Sequence, residues 1–463
     1  MYKIHLFETK AQKDAKYTFD SEDYIEPWVS YTREDESVDY NLPPIDWSSR
    51  YLTLRPTRGN CTFAFSREYS YSIDDGETWV SRSAGNATPN ISKGQKIMFK
   101  AVSTPTNYYG CGTFSTTYST GLFEVMGNPY SMFCGDNFRE VTSLPDYACS
   151  RLFSGCRYLV SAYNLSLPAT TLSDSCYSRL FEECSALTSF NASTLSATTL
   201  ARYCYGMMFY NCKSLKKPPK LPATTLAPSC YANMFWLSGI ETPPNLPATI
   251  LAQSCYQGMF ENCVSLTRAP ELPATTVATS AYTEMFTYCT SLTTPPQLPA
   301  TELFSGCYGY MFSACTSLTT PPQLPATTLA QYCYYKMFAG CTSLTIAPEL
   351  TSNTLIYGCY ESMFVGCTSL TTAPDLPATS LSQRCYYGMF SGCSSLNYIK
   401  AMFTTTPSTA YSMSHTTNWV SGVASTGTFV KNSAATWDVS GVNGVPSNWT
   451  VIDENGNPWV APT

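Results

Sequence analysis

Apolar positions along this chain follow a pattern that repeats. Between Cys176 and Cys393 the order Cys-Tyr-x-x-Met-Phe-x-x-Cys-x-Ser-Leu-x-x-x-Pro-x-Leu-Pro-Ala-Thr-x-Leu is written nine times with small variations, the later copies 26 residues apart. A fixed period of this length marks stacked units that share one continuous core, each too small to bury its apolar face alone. Within a unit, Cys333, Met337, Cys341 and Leu344 fall at offsets 0, 4, 8 and 11, with Tyr334 and Phe338 at 1 and 5. That stripe has the helical period and predicts a short helix over Cys-Tyr-x-x-Met-Phe. Gly340, Gly366 and Gly392 then fall where C-caps belong, and Ala-Thr-Thr supplies hydroxyls before the helix start. The Ser-Leu-x-x-x-Pro stretch predicts one short strand per coil, interrupted because Pro270, Pro296, Pro322, Pro348 and Pro374 have no N–H to donate. The expected fold class is a repeat solenoid, a short strand plus a short helix in each 26-residue coil. About ten coils occupy 146–403, from Leu152-Phe153 to Met389-Phe390.

The rhythm differs on either side. Residues 46–120 carry short alternating runs such as Tyr51-Leu-Thr-Leu, Tyr69-Ser-Tyr-Ser-Ile and Lys96-Ile-Met-Phe-Lys, with Asp74-Asp75-Gly76 as a hairpin signal, and predict a small all-β, sandwich-like domain. Residues 121–145 read as a junction whose Leu122, Phe123, Val125 and Met126 cover the first coil, since a solenoid needs capped ends. Residues 1–45 are polar and acidic, an extended arm and anchor expected to order on a partner. Residues 404–463, with Trp419, Trp437, Trp449 and Trp459, are expected to form a small β-rich C-terminal cap.

Composition narrows the functions. The net charge is −6 and charged residues are 13% of the chain, which argues against nucleic acid, a ligand that needs many cations on phosphates. No run of 18 apolar residues offers membrane insertion. The N-terminus has no apolar stretch of the secretory kind, so no export signal is expected. Most of the 21 cysteines stand in two columns, among them Cys176, Cys204, Cys255, Cys333, Cys359 and Cys385 in the first and Cys184, Cys212, Cys263, Cys341, Cys367 and Cys393 in the second. Residue type set by coil register predicts reduced thiols packed as small hydrophobes. Zinc is disfavoured by the Cys-x7-Cys spacing, the lack of CxxC and only two histidines; no metal or cofactor is expected.

The Met-Phe-x-Gly-Cys-Thr-Ser-Leu-Thr core, at Met337–Thr345 and Met363–Thr371, resembles the BspA-like leucine-rich repeats. These occur in surface and adhesive proteins of anaerobic bacteria and protozoa, and in proteins encoded by phages of gut bacteria. The resemblance implies a non-enzymatic binding protein. The Leu-Pro-Ala-Thr insertion, the 26-residue period and the lack of an export signal depart from the usual pattern. The last departure favours a phage virion appendage on the virion surface over a bacterial cell-surface adhesin, the alternative. Expected partners are other virion proteins through the N-terminal region, a host-surface protein or glycan through the solenoid, and a second copy of the chain.

Chemistry within the repeats has few candidates. His5 and His415 lie in the terminal regions, which excludes a histidine dyad in the solenoid. Glu271, Glu349 and Asp375 recur at one repeat position rather than forming a unique pair, so a carbohydrate-active enzyme is the contrary reading. The tyrosines beside the first cysteine are in strict register, which favours a buried stack over an exposed ladder. The varying columns are better contact candidates: Lys220, Asn245, Glu271, Gln297, Gln323, Glu349 and Asp375 before Leu-Pro, and Arg268 in the strand.

Overall fold

The computed structural model describes residues 30–33, 36–41, 45–102, 112–115, 121–141, 143–191, 195–408, 410 and 414–460. Of the acidic arm, Ser30–Arg33 (β1) and Glu36–Asn41 (β2) form an antiparallel hairpin with Ser30 opposite Asn41; the expectation for residues 1–29 lies outside the described residues. The β domain contributes Leu52–Arg58 (β3), Ala64–Phe65 (β4), Tyr69–Ser72 (β5), Val80–Arg82 (β6), Ile97–Ala101 (β7) and Phe114–Ser115 (β8). Leu122–Gly127 (β9) follows, then one short helix, Ser131–Cys134 (α1), then Leu159–Leu165 (β10) and Ser189–Phe190 (β11).

A seven-stranded sheet of order β11-β10-β9-β3-β7-β5-β6 joins this domain to the first coils. Strand β9 is shared: it runs antiparallel to β3 and parallel to β10. The β5–β6 hairpin closes at the Asp-Asp-Gly signal, with Asp75 and Gly76 both at positive φ. Pro56 sits inside β3 without breaking the sheet, because β7 pairs only with Leu52, Thr53 and Leu54 and asks nothing of the missing N–H. Phe63, Phe65, Phe99 and Phe114 fill the core below, Phe114 lying 5.1 Å from Phe99.

Phe114 then opens the axial stack of the solenoid. Its ring lies 5.6 Å from Phe153 and nearly parallel to it, and the ladder continues through Phe181, Phe209, Phe235, Phe260, Phe286, Phe312, Phe338, Phe364 and Phe390. A second ladder runs from Tyr177 to Tyr386, begun by a hydroxyl contact from Tyr130. The tyrosines are buried, as their register implies.

The expected helix is not there. Over Cys-Tyr-x-x-Met-Phe-x-x-Cys the backbone makes consecutive tight turns, with a left-handed residue every fourth position: Tyr332, Lys336 and Gly340 in one coil, Gly358, Ser362 and Gly366 in the next. Alternate N–H groups stay inside the coil and the others cross to the next. Cys333, Tyr335 and Met337 donate to Ala330, Tyr332 and Tyr334, while Tyr334, Lys336 and Phe338 donate to Cys359, Glu361 and Met363. A helix would spend every N–H on its own turn. The turn ribbon binds its neighbour instead, and still places offsets 0, 4 and 8 on one side, which is why the apolar stripe resembles a helical one. Gly340, Gly366 and Gly392 cap no helix; they fill the third left-handed position of each ribbon.

Regular strands are equally scarce along the middle coils. Beyond β11 the pairing is reduced to single bridges such as Thr225 with Ile250, Arg268 with Thr294 and Glu302 with Thr328, consistent with a proline in every coil. Ladders return at Tyr398–Ala401 (β12), Thr428–Lys431 (β13) and Thr450–Asp453 (β14), all parallel. Coil-to-coil bonding runs on past Phe403: Tyr386, Gly388 and Phe390 donate to His415, Thr417 and Trp419. Trp419 thus occupies the methionine position of a further coil. Indole N–H groups of Trp419, Trp437 and Trp449 close the end on the carbonyls of Gly444, Phe403 and Ala424.

Candidate functional site

Two outward faces of the solenoid are available for contact. The first is the segment before and after Leu-Pro. Lys220, Asn245, Glu271, Gln297, Gln323, Glu349 and Asp375 are all exposed, each followed by a buried leucine, so they form one row with one member per coil. Arg268 is exposed off that row, bridged to Thr294. The row mixes both charges and neutral amides, and Asp375 is engaged by Lys400 at 2.7 Å, a contact that raises the lysine above its usual range.

The second face is the outside of the turn ribbon, at offsets −2, −1, 2, 3 and 6 from the first cysteine column. It includes residues that sequence reasoning missed. Tyr310 and Tyr335 lie 4.9 Å apart, Tyr332 and Tyr335 5.5 Å, and Tyr332 and Tyr357 5.1 Å, all edge to face and half-buried. The Lys336 ammonium stands 5.4 Å from the Tyr310 ring and 5.3 Å from Tyr335. Arg384 stacks on Tyr387 at 4.2 Å and gives two hydrogen bonds to the buried carboxylate of Glu361, at 2.7 and 2.5 Å. Burial, then the hydrogen bond to Tyr357, pushes the Tyr332 phenol up to about 12. The signal available in the sequence was variation: these offsets carry Tyr in some coils and Gly, Ser or Thr in others.

The same face carries a cleft of about 360 Å³ near the first coils, lined by Tyr147, Ser150, Arg151, Ser175, Arg179 and Tyr203. Further along, Glu261 is raised to about 7, first by burial and then by the charge of Glu284. These two carboxylates act on each other's charge, and among the described residues no group of three or more His, Cys, Asp or Glu is placed to hold a metal ion. His415 sits in the first cysteine column of the further coil, held below its usual range by burial.

The cysteine columns belong to the interior. Each second-column thiol donates to the phenylalanine carbonyl of the preceding coil: Cys184 to Phe153, Cys289 to Phe260, Cys341 to Phe312 at 3.0–3.1 Å. Ser238, the one substitution in that column, holds its hydroxyl 3.5 Å from Cys263 Sγ. Burial pushes Cys204, Cys263 and Cys341 up to about 12, which removes thiolate chemistry at neutral pH.

A rod of stacked coils with an inert interior and a varied exterior defines a repeat protein whose chemistry lies on its surface. The family profile for the BspA type leucine-rich repeat region matches residues 131–267, 207–337 and 305–424, and the chain belongs to that family. No curated protein and no solved structure matches it. Membership marks the chain as a surface or binding protein. Among the described residues no helix is long and apolar enough to cross a membrane.

Proposed function

We propose that the chain is a non-enzymatic binding rod carried on a phage particle, docked through its N-terminal region on other virion proteins and adhering through its solenoid to a host surface. The observation that carries this reading is the continuous ladder from Phe114 to Phe390. It makes the β domain the first layer of the same stack, so an anchor at that end would hold the binding face at a fixed distance and orientation. The stacked interior supports a binding role over catalysis, because identical coils leave only outward offsets free to differ. Membership in the BspA type repeat family supports a surface location.

Immunogold labelling with an antibody against residues 150–400 tests the proposal on purified phage particles and on intact uninfected host cells. Labelled particles are expected. Bare particles with labelled uninfected cells would refute the virion role and leave a bacterial surface adhesin.

A further inference from the structure

We propose that the solenoid holds its own N-terminal arm: the acidic hairpin of β1 and β2, residues 30–41, docks in cis on the lysine-rich coil at residues 213–220. The chain as a whole is acidic, yet Lys213, Lys216, Lys217 and Lys220 stand exposed in one coil, the densest run of cations in the sequence. The stack does not require them, since the coil of Cys289 has Thr290, Thr293, Thr294 and Gln297 at the same positions. Neighbouring coils leave this charge standing. Lys216 is engaged by Glu241 at 2.9 Å, whereas no carboxylate is in ion-pair contact with Lys213, Lys217 or Lys220 among the described residues. The same segment of the coil before, residues 185–200, carries no charge, and two coils on Arg268 and Glu271 oppose each other in sign.

The opposite charge on this chain is concentrated in the arm. Residues 20–39 hold eight carboxylates against one cation, Arg33, and four of the eight, Glu34, Asp35, Glu36 and Asp39, fall within residues 30–41. Among the described residues β1 and β2 pair only with each other. The path of the chain brings the two together. Ile45, Asp46 and Trp47 line one cavity with Ser166 of the first coil and Ser196 of the second, on the segment that in the third coil carries Lys220. That coil is at most two axial steps away, each 5.5 Å between stacked phenylalanines. Fully extended, the chain from Asn41 to Ile45 reaches about 13 Å, enough to lay the hairpin on the lysines of its own rod. Single exposed ion pairs are weak, but so short a tether makes the contact intramolecular, at an effective concentration in the millimolar range. Arg50 and Arg139, the other cations at the arm's exit, line a cleft that Asp75 shares, and Arg139 is spent on the Phe138 ring and the Ser49 carbonyl. Held on the lysine coil, the arm must be displaced before it can dock on another protein. The latch stands or falls independently of whether the rod is carried on a particle.

Carbodiimide coupling of the full chain, which joins a carboxylate directly to a lysine amine, tests this by peptide mass spectrometry of the monomer band. The Lys216–Glu241 pair is the internal positive control. Cross-links from Glu34, Asp35, Glu36 or Asp39 to Lys213, Lys217 or Lys220 are expected at about 10 mM salt and should fall about tenfold at about 1 M, where the screening length shrinks from about 30 Å to about 3 Å. Combining Lys213→Glu, Lys217→Glu and Lys220→Glu should abolish them, and adding Glu34→Lys, Asp35→Lys and Glu36→Lys should restore them with the roles exchanged. Thermal melts matching the parent chain show that each variant is folded. Cross-links spread evenly over Lys93, Lys96 and Lys336, or none to the lysine coil, would overturn the proposal. Cross-links confined to a dimer band would overturn it too, placing the hairpin on a second copy. Gold-labelled particles together with no such cross-links would keep the virion reading and remove the latch.

Discussion

Bringing the chain from pH 7 to pH 10 is expected to unfold the solenoid, and the cause is its thiols. In an unfolded chain a cysteine ionises near 9.0, whereas burial in the stack pushes Cys156, Cys204, Cys255, Cys263, Cys307, Cys341, Cys359 and Cys393 up to about 12. Between those values the folded chain holds protons that the unfolded chain has released, so stability falls as the pH rises through the window. At pH 10 each such thiol costs the folded state on the order of 1 kcal/mol, and the eight together on the order of 10 kcal/mol, comparable to the whole stability of an ordinary domain. Cys184, Cys289, Cys315 and Cys367 are held well above their usual range too, chiefly by burial. Lys431 acts in the opposite sense: burial lowers it to about 8, so its cost to the fold fades as the pH rises towards 10.5. One lysine does not offset two columns of thiols. Urea denaturation in the presence of a reductant, followed by tryptophan fluorescence at pH 7, 8, 9 and 10, measures the midpoint, and Ellman titration counts accessible thiols. The midpoint should hold to about pH 8 and then fall steeply, with the column thiols reacting only in urea. An equal midpoint at pH 7 and pH 10, or stoichiometric reaction of the native chain at pH 8, would refute the reasoning.

Other perturbations isolate single parts of the stack. Phe312→Ala removes a fully buried ring between Phe286 at 5.6 Å and Phe338 at 5.7 Å and should cost about 3–5 kcal/mol. Because coils touch only their neighbours, urea unfolding should split into two steps, and a single transition within about 1 kcal/mol of the parent would contradict the ladder's role. Gly366→Ala meets nothing closer than Gly340 at 3.8 Å, so its cost should be the left-handed backbone alone, about 1 kcal/mol by chemical denaturation. The reverse change, Ala314→Gly at φ 58°, should be neutral or stabilising. Glu261→Gln should stabilise the chain at pH 8 by about 1–2 kcal/mol and leave it unchanged at pH 4, because the half-buried acid, raised to about 7, carries its penalty only when ionised. Equal effects at the two pH values would point to packing instead.

The columns were legible in the sequence because stacking leaves a simple trace: a side chain buried in one coil is buried at the same offset in all of them. Cys333, Tyr334, Met337, Phe338 and Cys341 could be assigned to the interior from register alone. The turn ribbon was not legible for the same reason that the stripe was. Over two steps a period of 3.6 and a period of 4 fall within one residue of each other, and the feature that separates them is the sign of φ at every fourth position. Glycine reveals that sign at Gly340, Gly366 and Gly392, but Lys336, Tyr310 and Arg179 adopt it too, held there by hydrogen bonds to a coil about 26 residues away that no local pattern records. The coil past Phe403 was hidden differently, since its bonding persists while its residues change: His415 replaces a cysteine and Trp419 a methionine.

The tyrosine patch shows why the outer face resists sequence reading even when the inner one does not. Tyr310, Tyr332, Tyr335 and Tyr357 stand at four different offsets in three coils, so no column contains them, and the stacking of coils brings Tyr310 to Tyr335 and Tyr357 to Tyr332 within about 5 Å. The interior constrains each coil to match the next, whereas the outward offsets escape that constraint because their side chains are not required for the stack. Offsets −2, −1, 2 and 3 of a few coils can therefore change without altering the ladders, as Gly306 and Gly309 beside Tyr332 and Tyr335 illustrate. In this architecture the regular residues carry stability and the irregular ones are free to vary.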